Sequence, residues 1–78
     1  MRWGALIRSS RSARGLTQAQ LAEHIAADNT SISRIENDLA IGSLPTVLGL
    51  RSFLGLDDTL MLDAIERTLR VLQSRAAS

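Results

Sequence analysis

The chain has no cysteine, no lysine and no tyrosine, and holds a single histidine and a single proline in 78 residues. Without cysteine, neither a disulfide framework nor a thiolate metal site can stabilise it, and one histidine cannot hold a zinc ion alone. No metal and no cofactor is expected. The two aromatic residues, Trp3 and Phe53, both sit in apolar contexts, which leaves no stacking platform for single-stranded RNA. Long hydrophobic runs are missing too. Arg8, Arg11 and Arg14 break the amino-terminal stretch below signal-peptide length, and nothing approaches the ~20 apolar residues of a membrane span. A cytoplasmic protein with no membrane partner is the expectation. At this length one domain over 1–78 is expected, with a core supplying only roughly 3 to 5 kcal/mol, so help from oligomerisation is anticipated.

The net charge is only +1, but it is unevenly spread. Residues 1–22 carry Arg2, Arg8, Arg11 and Arg14 with no acid, whereas 35–66 carry Glu36, Asp38, Asp57, Asp58, Asp63 and Glu66 against Arg51 alone. One end suits a polyanion and the other does not. All nine basic residues are arginine. That suits bidentate contacts to phosphate or guanine, although a GC-rich genome produces the same bias.

Apolar residues recur with helical spacing throughout, with no alternating strand pattern, and the punctuation divides the chain into five helices. The first is expected over about 4–14, with Trp3, Leu6, Ile7 and Ala13 as its apolar face and Gly15 as a left-handed terminator. Thr17 and Gln20 form a capping box for the second, 18–25, which buries Leu21, Ala22 and Ile25. Asp28 caps the third, 29–37. Ser43 caps the fourth, 44–54, with Pro45 in its first turn and Gly49 as a close-packing point. Gly55 ends that helix, and Asp57 caps the last.

Within the third helix, Ile32 and Ile35 face a core while Asn29, Thr30, Ser33 and Arg34 point away, with Ser31 near the edge. Such a short, polar face is what a helix needs to lie in the major groove: asparagine bonds bidentately to adenine, threonine touches a thymine methyl and arginine grips guanine. An ordinary solvated helix face is the competing reading of the same residues.

The last helix, within 57–75, carries Leu60, Met61, Leu62, Ala64, Ile65, Leu69, Val71 and Leu72 on an arc of about 200° at 100° per residue. Packing on a four-helix body requires about half of that. The surplus is expected to bury against a second copy, with Leu60, Met61, Ile65, Leu69 and Leu72 as the seam. A twofold dimer would set two recognition helices ~34 Å apart and call for an inverted-repeat operator.

An enzyme is the weakest reading. His24 lies beside Glu23 without a nucleophile, phosphate loop or metal cluster, Asp57 and Asp58 read as a helix start, and Ser9, Ser10 and Ser12 have no activating partner. No catalytic residue is assigned.

The stretch "LIRSSRSARGLTQAQLAEHIAADNTSISRIEN", with "SLPTVLGLRSFLGL", resembles the Xre or phage-repressor (Cro/cI-type) helix-turn-helix family over about residues 5–56. The resemblance implies an all-α, five-helix lambda-repressor-like fold, in which helices two and three form the helix-turn-helix within a DNA-binding body, 1–56. It implies Gln18 on a phosphate, bracing the first recognition residue, and Asn29, Thr30 and Arg34 as base readers with Ser31 and Ser33 as lesser contacts. The same carry-over pairs Arg11 with Glu36, a surface ion pair worth only about 0 to 1 kcal/mol. Arg8, Arg11, Arg14 and Asn37 complete the expected phosphate contacts. The implied partners are double-stranded DNA and a second copy. The implied function is a bacterial or phage-encoded repressor or autoregulator, nucleoid-associated when bound, with the controller proteins of restriction-modification systems as a subtype. An antitoxin or adaptor, whose last helix grips a cognate protein, is the alternative. Two departures stand out: relatives place glycine where this chain has Ala26 and Asp38, and a left-handed conformation costs alanine roughly 1 kcal/mol.

Overall fold

A computed structural model describes residues 1–77. These residues form α1 (Trp3–Ala13), α2 (Gln18–His24), α3 (Asn29–Glu36), α4 (Leu44–Leu54) and α5 (Asp58–Ala77). The all-α, five-helix expectation holds, and the differences lie at the ends. α1 starts one residue early because Trp3 is itself helical and fully buried, whereas Ala13, expected on the apolar face, is exposed in the last turn.

The starts of the helices follow their capping residues. Thr17 Oγ1 accepts from the Gln20 backbone N–H at 3.1 Å and Gln20 Oε1 accepts from the Thr17 N–H at 2.9 Å, closing the capping box. Asp28 accepts from the Ser31 N–H at 2.7 Å, Ser43 from Thr46 and Asp57 from Leu60. Each satisfies one amide that the helix leaves without an internal partner. The ends share one device: Gly15, Ala26, Asp38 and Gly55 all adopt positive φ, from 54° to 69°. At α1, α2 and α3 the two residues past the last turn return N–H groups to carbonyls of that turn, as in Asp38 to Ile35 and Leu39 to Arg34. The turn at Ala26 and the cap at Asp38 therefore keep the left-handed geometry that glycine provides elsewhere.

One core joins the elements: Trp3, Leu6 and Ile7 of α1, Leu21 and Ala22 of α2, Ile32 and Ile35 of α3, Val47, Leu50 and Leu54 of α4, and Met61 and Ala64 of α5. Gly49 is a close-packing point, since a Cβ there would meet Ile25 Cβ at 3.2 Å. This lets α4 press against the end of α2. α3 closes on α1 more tightly still, for a Cβ on Gly4 would fall 2.5 Å from the Ile35 carbonyl oxygen and 2.9 Å from that of Glu36.

α5 is anchored by a polar residue that its apolar pattern passes over. Thr68 is buried; its hydroxyl accepts from the Trp3 N–H at 2.9 Å and donates to the Ala64 carbonyl at 3.2 Å. It caps the first turn of α1, which has no side-chain cap from Arg2. The Trp3 indole N–H in turn donates to the Ile41 carbonyl at 2.9 Å, fixing the loop between α3 and α4. Ile41 folds over the core, while Leu39 stays exposed.

α5 alters the expected seam. Met61 is only 7% exposed and belongs to the subunit's own core, because the middle of the apolar arc faces α1. Ile65 and Leu72 are half-buried, and the exposed leucines, Leu60, Leu62 and Leu69, lie on the flanks of the arc. No helix among the described residues is long and apolar enough to cross a membrane.

Candidate nucleic-acid interface

α2, the Ala26 turn and α3 bring the sequence-derived site residues to one side of the core. Ile32 and Ile35 are fully buried, and their burial fixes the rotation of α3. Asn29, Thr30 and Arg34 are consequently exposed, with Ser31 and Ser33 half-buried beside them. Among the described residues, no side-chain hydrogen bond or ion pair holds Asn29, Thr30 or Arg34, so their donors and acceptors are available to a ligand. Asp28, at the positive end of α3, is spent on the cap. Asn37, at the other end, folds back and donates to the Ser33 carbonyl at 2.8 Å.

Of the expected phosphate contacts, Arg8, Arg11 and Gln18 converge on Glu36. Arg11 grips both carboxylate oxygens, through Nε to Oε2 at 2.7 Å and Nη2 to Oε1 at 2.9 Å, and its Nη1 donates to the Leu16 carbonyl at 2.7 Å. Gln18 Nε2 adds a donor to Oε1 at 3.1 Å, and Arg8 Nε a longer one at 3.3 Å. The Glu36 side chain has no exposure and that of Arg11 only 16%. The pairing of Arg11 with Glu36 is thus present but is not a surface bridge: it is a buried one that joins α1, α2 and α3. Burial alone would push the Glu36 carboxyl up. The donors from Arg11, Gln18 and Arg8 outweigh it and hold its pKa below the ordinary value.

This crowding sorts the donors. Arg11 is committed on three nitrogens, whereas Arg8, with over half its side chain exposed, is the peripheral partner of an oxygen that already accepts two other bonds. Arg8 and Gln18 can turn to a phosphate while Glu36 keeps its bidentate partner. Two cations against one carboxylate leave the cluster net positive.

Arg14 lies outside this cluster. Its guanidinium carbon stands 5.2 Å from the centroid of the Phe53 ring, on which the His24 imidazole also stacks at 4.5 Å and 16°. His24 is a surface residue packed on an aromatic ring, with Leu16, Gln20 and Glu23 lining an open groove beside it. Neither the Phe53 contact nor the burial of Glu36 was signalled by spacing, since the first depends on how α2 and α4 meet and the second on how α1, α2 and α3 do. Among the described residues no three His, Asp or Glu side chains are grouped as a metal ion requires.

A family model described as a helix-turn-helix domain matches residues 2–64, which takes in α1 to α4 and the first turns of α5. No curated protein and no solved structure matches the chain.

Proposed function

Since the chain belongs to the helix-turn-helix domain family, we propose that it is a sequence-specific regulator of transcription that binds double-stranded DNA as a homodimer, in the manner of the Xre and phage repressors. The observation that carries this reading is the division of α3: an isoleucine ridge sealed in the core, and opposite it Asn29, Thr30 and Arg34, short or extended polar groups with no hydrogen-bond or ion-pair partner among the described residues. α3 enters the major groove. Asn29 and Arg34 read adenine and guanine edges, Thr30 a thymine methyl, and Ser31 and Ser33 make smaller contacts. Arg8, Gln18, Arg14 and Asn37 hold phosphates, and Arg11 chiefly fixes the cluster through Glu36.

The second copy packs along α5. With Met61 withdrawn into the core, the seam runs over Leu62 and Leu69, one heptad apart, with Ile65 and Leu72 at its inner margin, while Leu60 lies on the opposite flank. Exposed leucines at this spacing favour a helix partner of the same kind. The regulator acts as a repressor or autoregulator on an inverted repeat. Selection of bound duplexes from a random pool tests this: enrichment of a twofold symmetric sequence with half-sites about one helical turn apart supports it. Recovery of no sequence preference at any salt concentration contradicts it.

A further inference from the structure

α3 has a neighbour at its carboxy-terminal end that touches none of the base-reading side chains. The residue that ends the helix, Asp38, is held by two distant parts of the chain, the start of α1 and the last turns of α5. Its carbonyl accepts from Arg75 Nη1, in the last turns of α5, at 2.7 Å, and its Oδ2 accepts from Arg2 Nη1 at 3.1 Å. Its Oδ1 is buried with no hydrogen-bond partner among the described residues, pressed against the first turn of α1, where a Cβ on Gly4 would come within 2.9 Å of it. All of this rests on a left-handed backbone, φ 58°, at a residue that is not glycine.

An aspartate in that conformation with one orphaned oxygen is a state that its surroundings must impose. The surroundings are of the right sign. Arg2 and Arg75 place cations at the negative end of α3, and the carboxylate faces the positive end of α1. Through this residue the cap is completed, Asp38 N–H to Ile35 and Leu39 N–H to Arg34 at 3.2 and 2.9 Å, so the turn that carries Arg34 is closed by the residue that Arg75 grips.

We infer that Asp38 is the joint by which α5 sets the seat of the recognition helix, with Arg75 as the positioning residue. α5 packs chiefly on α1, is tied to α4 by Arg51 and Asp58, and grips the cap of α3 through this bond. The inference rests on the reading of α3 as the base-reading helix, and any event that orders the last turns of α5 then tightens the turn bearing Arg34.

Amide hydrogen exchange on the free protein and titration with duplex DNA, for the wild type, Arg75→Ala and Arg75→Lys, test it together. Loss of one hydrogen bond is expected to speed exchange at Asp38 and Leu39 roughly fivefold. The Ile7 amide, in the core of α1, keeps its rate, lysine restores most of the protection, and affinity for the selected duplex falls by a similar factor in the alanine variant alone. Unchanged exchange at the cap, or an acceleration shared equally by Ile7, overturns the joint. So does a looser cap with unaltered DNA affinity. A wild-type protein that binds no duplex refutes the base-reading role instead, and the exchange data still decide the joint.

Discussion

Two left-handed residues with different side chains give the sharpest residue-scale contrast. Ala26 gains nothing from its conformation, so Ala26→Gly relieves a cost of about 1 kcal/mol, offset in part by the greater freedom of glycine in the unfolded chain. A small rise in stability, up to about 1 kcal/mol by denaturant melting, is expected. Asp38→Gly relieves less, because aspartate tolerates the left-handed region better, and it forfeits the Arg2 ion pair and the carboxylate at the start of α1. Its stability should not rise. Gly4 is the opposite case, where a side chain has no room: Gly4→Ala forces α1 away from the backbone of α3 and should cost about 1 to 3 kcal/mol, read from the shift in midpoint at constant slope.

Glu36 gives a residue-scale prediction in pH. Its carboxyl has a lower pKa folded than unfolded, so it contributes stability that is complete above the ordinary value of 4.5 and is lost as the pH falls through the folded value. Glu36→Gln leaves Arg11 without its counter-charge in a buried setting and should cost about 3 kcal/mol near neutrality. The variant should also show a flatter loss of stability below pH 4.5 than the wild type, and parallel acid limbs would remove Glu36 from the account.

At the scale of elements, what was legible in the sequence was whatever a helix declares locally. Thr17 and Gln20, Asp28, Ser43 and Gly55 mark boundaries through bonds to their own neighbours, and the structure moves those boundaries by no more than a residue or two. The isoleucine ridge of α3 was readable for the same reason. Burial of a whole face is harder to read, because it depends on which partner arrives. The apolar arc of α5 exceeds what one face needs only while the polar Thr68 is passed over; at 100° per residue Thr68 falls among Met61 and Ala64, and that placement is the clue to the face that meets α1. Gly4 gave no clue, since its need for space comes from α3, which is distant in sequence. A charge on the exposed flank tests the remainder: Leu62→Glu or Leu69→Glu should leave the melting of the monomer fold nearly unchanged while halving the mass seen by equilibrium sedimentation. An unchanged mass would exclude that flank as the seam.

For the whole molecule, modest net charge and uneven placement act together. Arg8 and Arg11 of α1 gather with Gln18, at the start of α2, around Glu36 at the end of α3, while the acids of α5 are paired, Asp58 with Arg51, Asp63 with Arg67 and Glu66 with Arg70. One side is thus left able to meet a polyanion. With few free cations, its affinity for DNA should fall only moderately with salt. The most direct measurement compares Asn29→Ala, Arg34→Ala and Arg8→Ala on the selected operator and on a random duplex over a range of salt. Asn29→Ala and Arg34→Ala should each cost about 1 to 3 kcal/mol on the operator and little on the random duplex, while Arg8→Ala weakens both alike and lowers the salt slope by about one. Equal losses on the two duplexes for the α3 variants would contradict the assignment of that face to base reading.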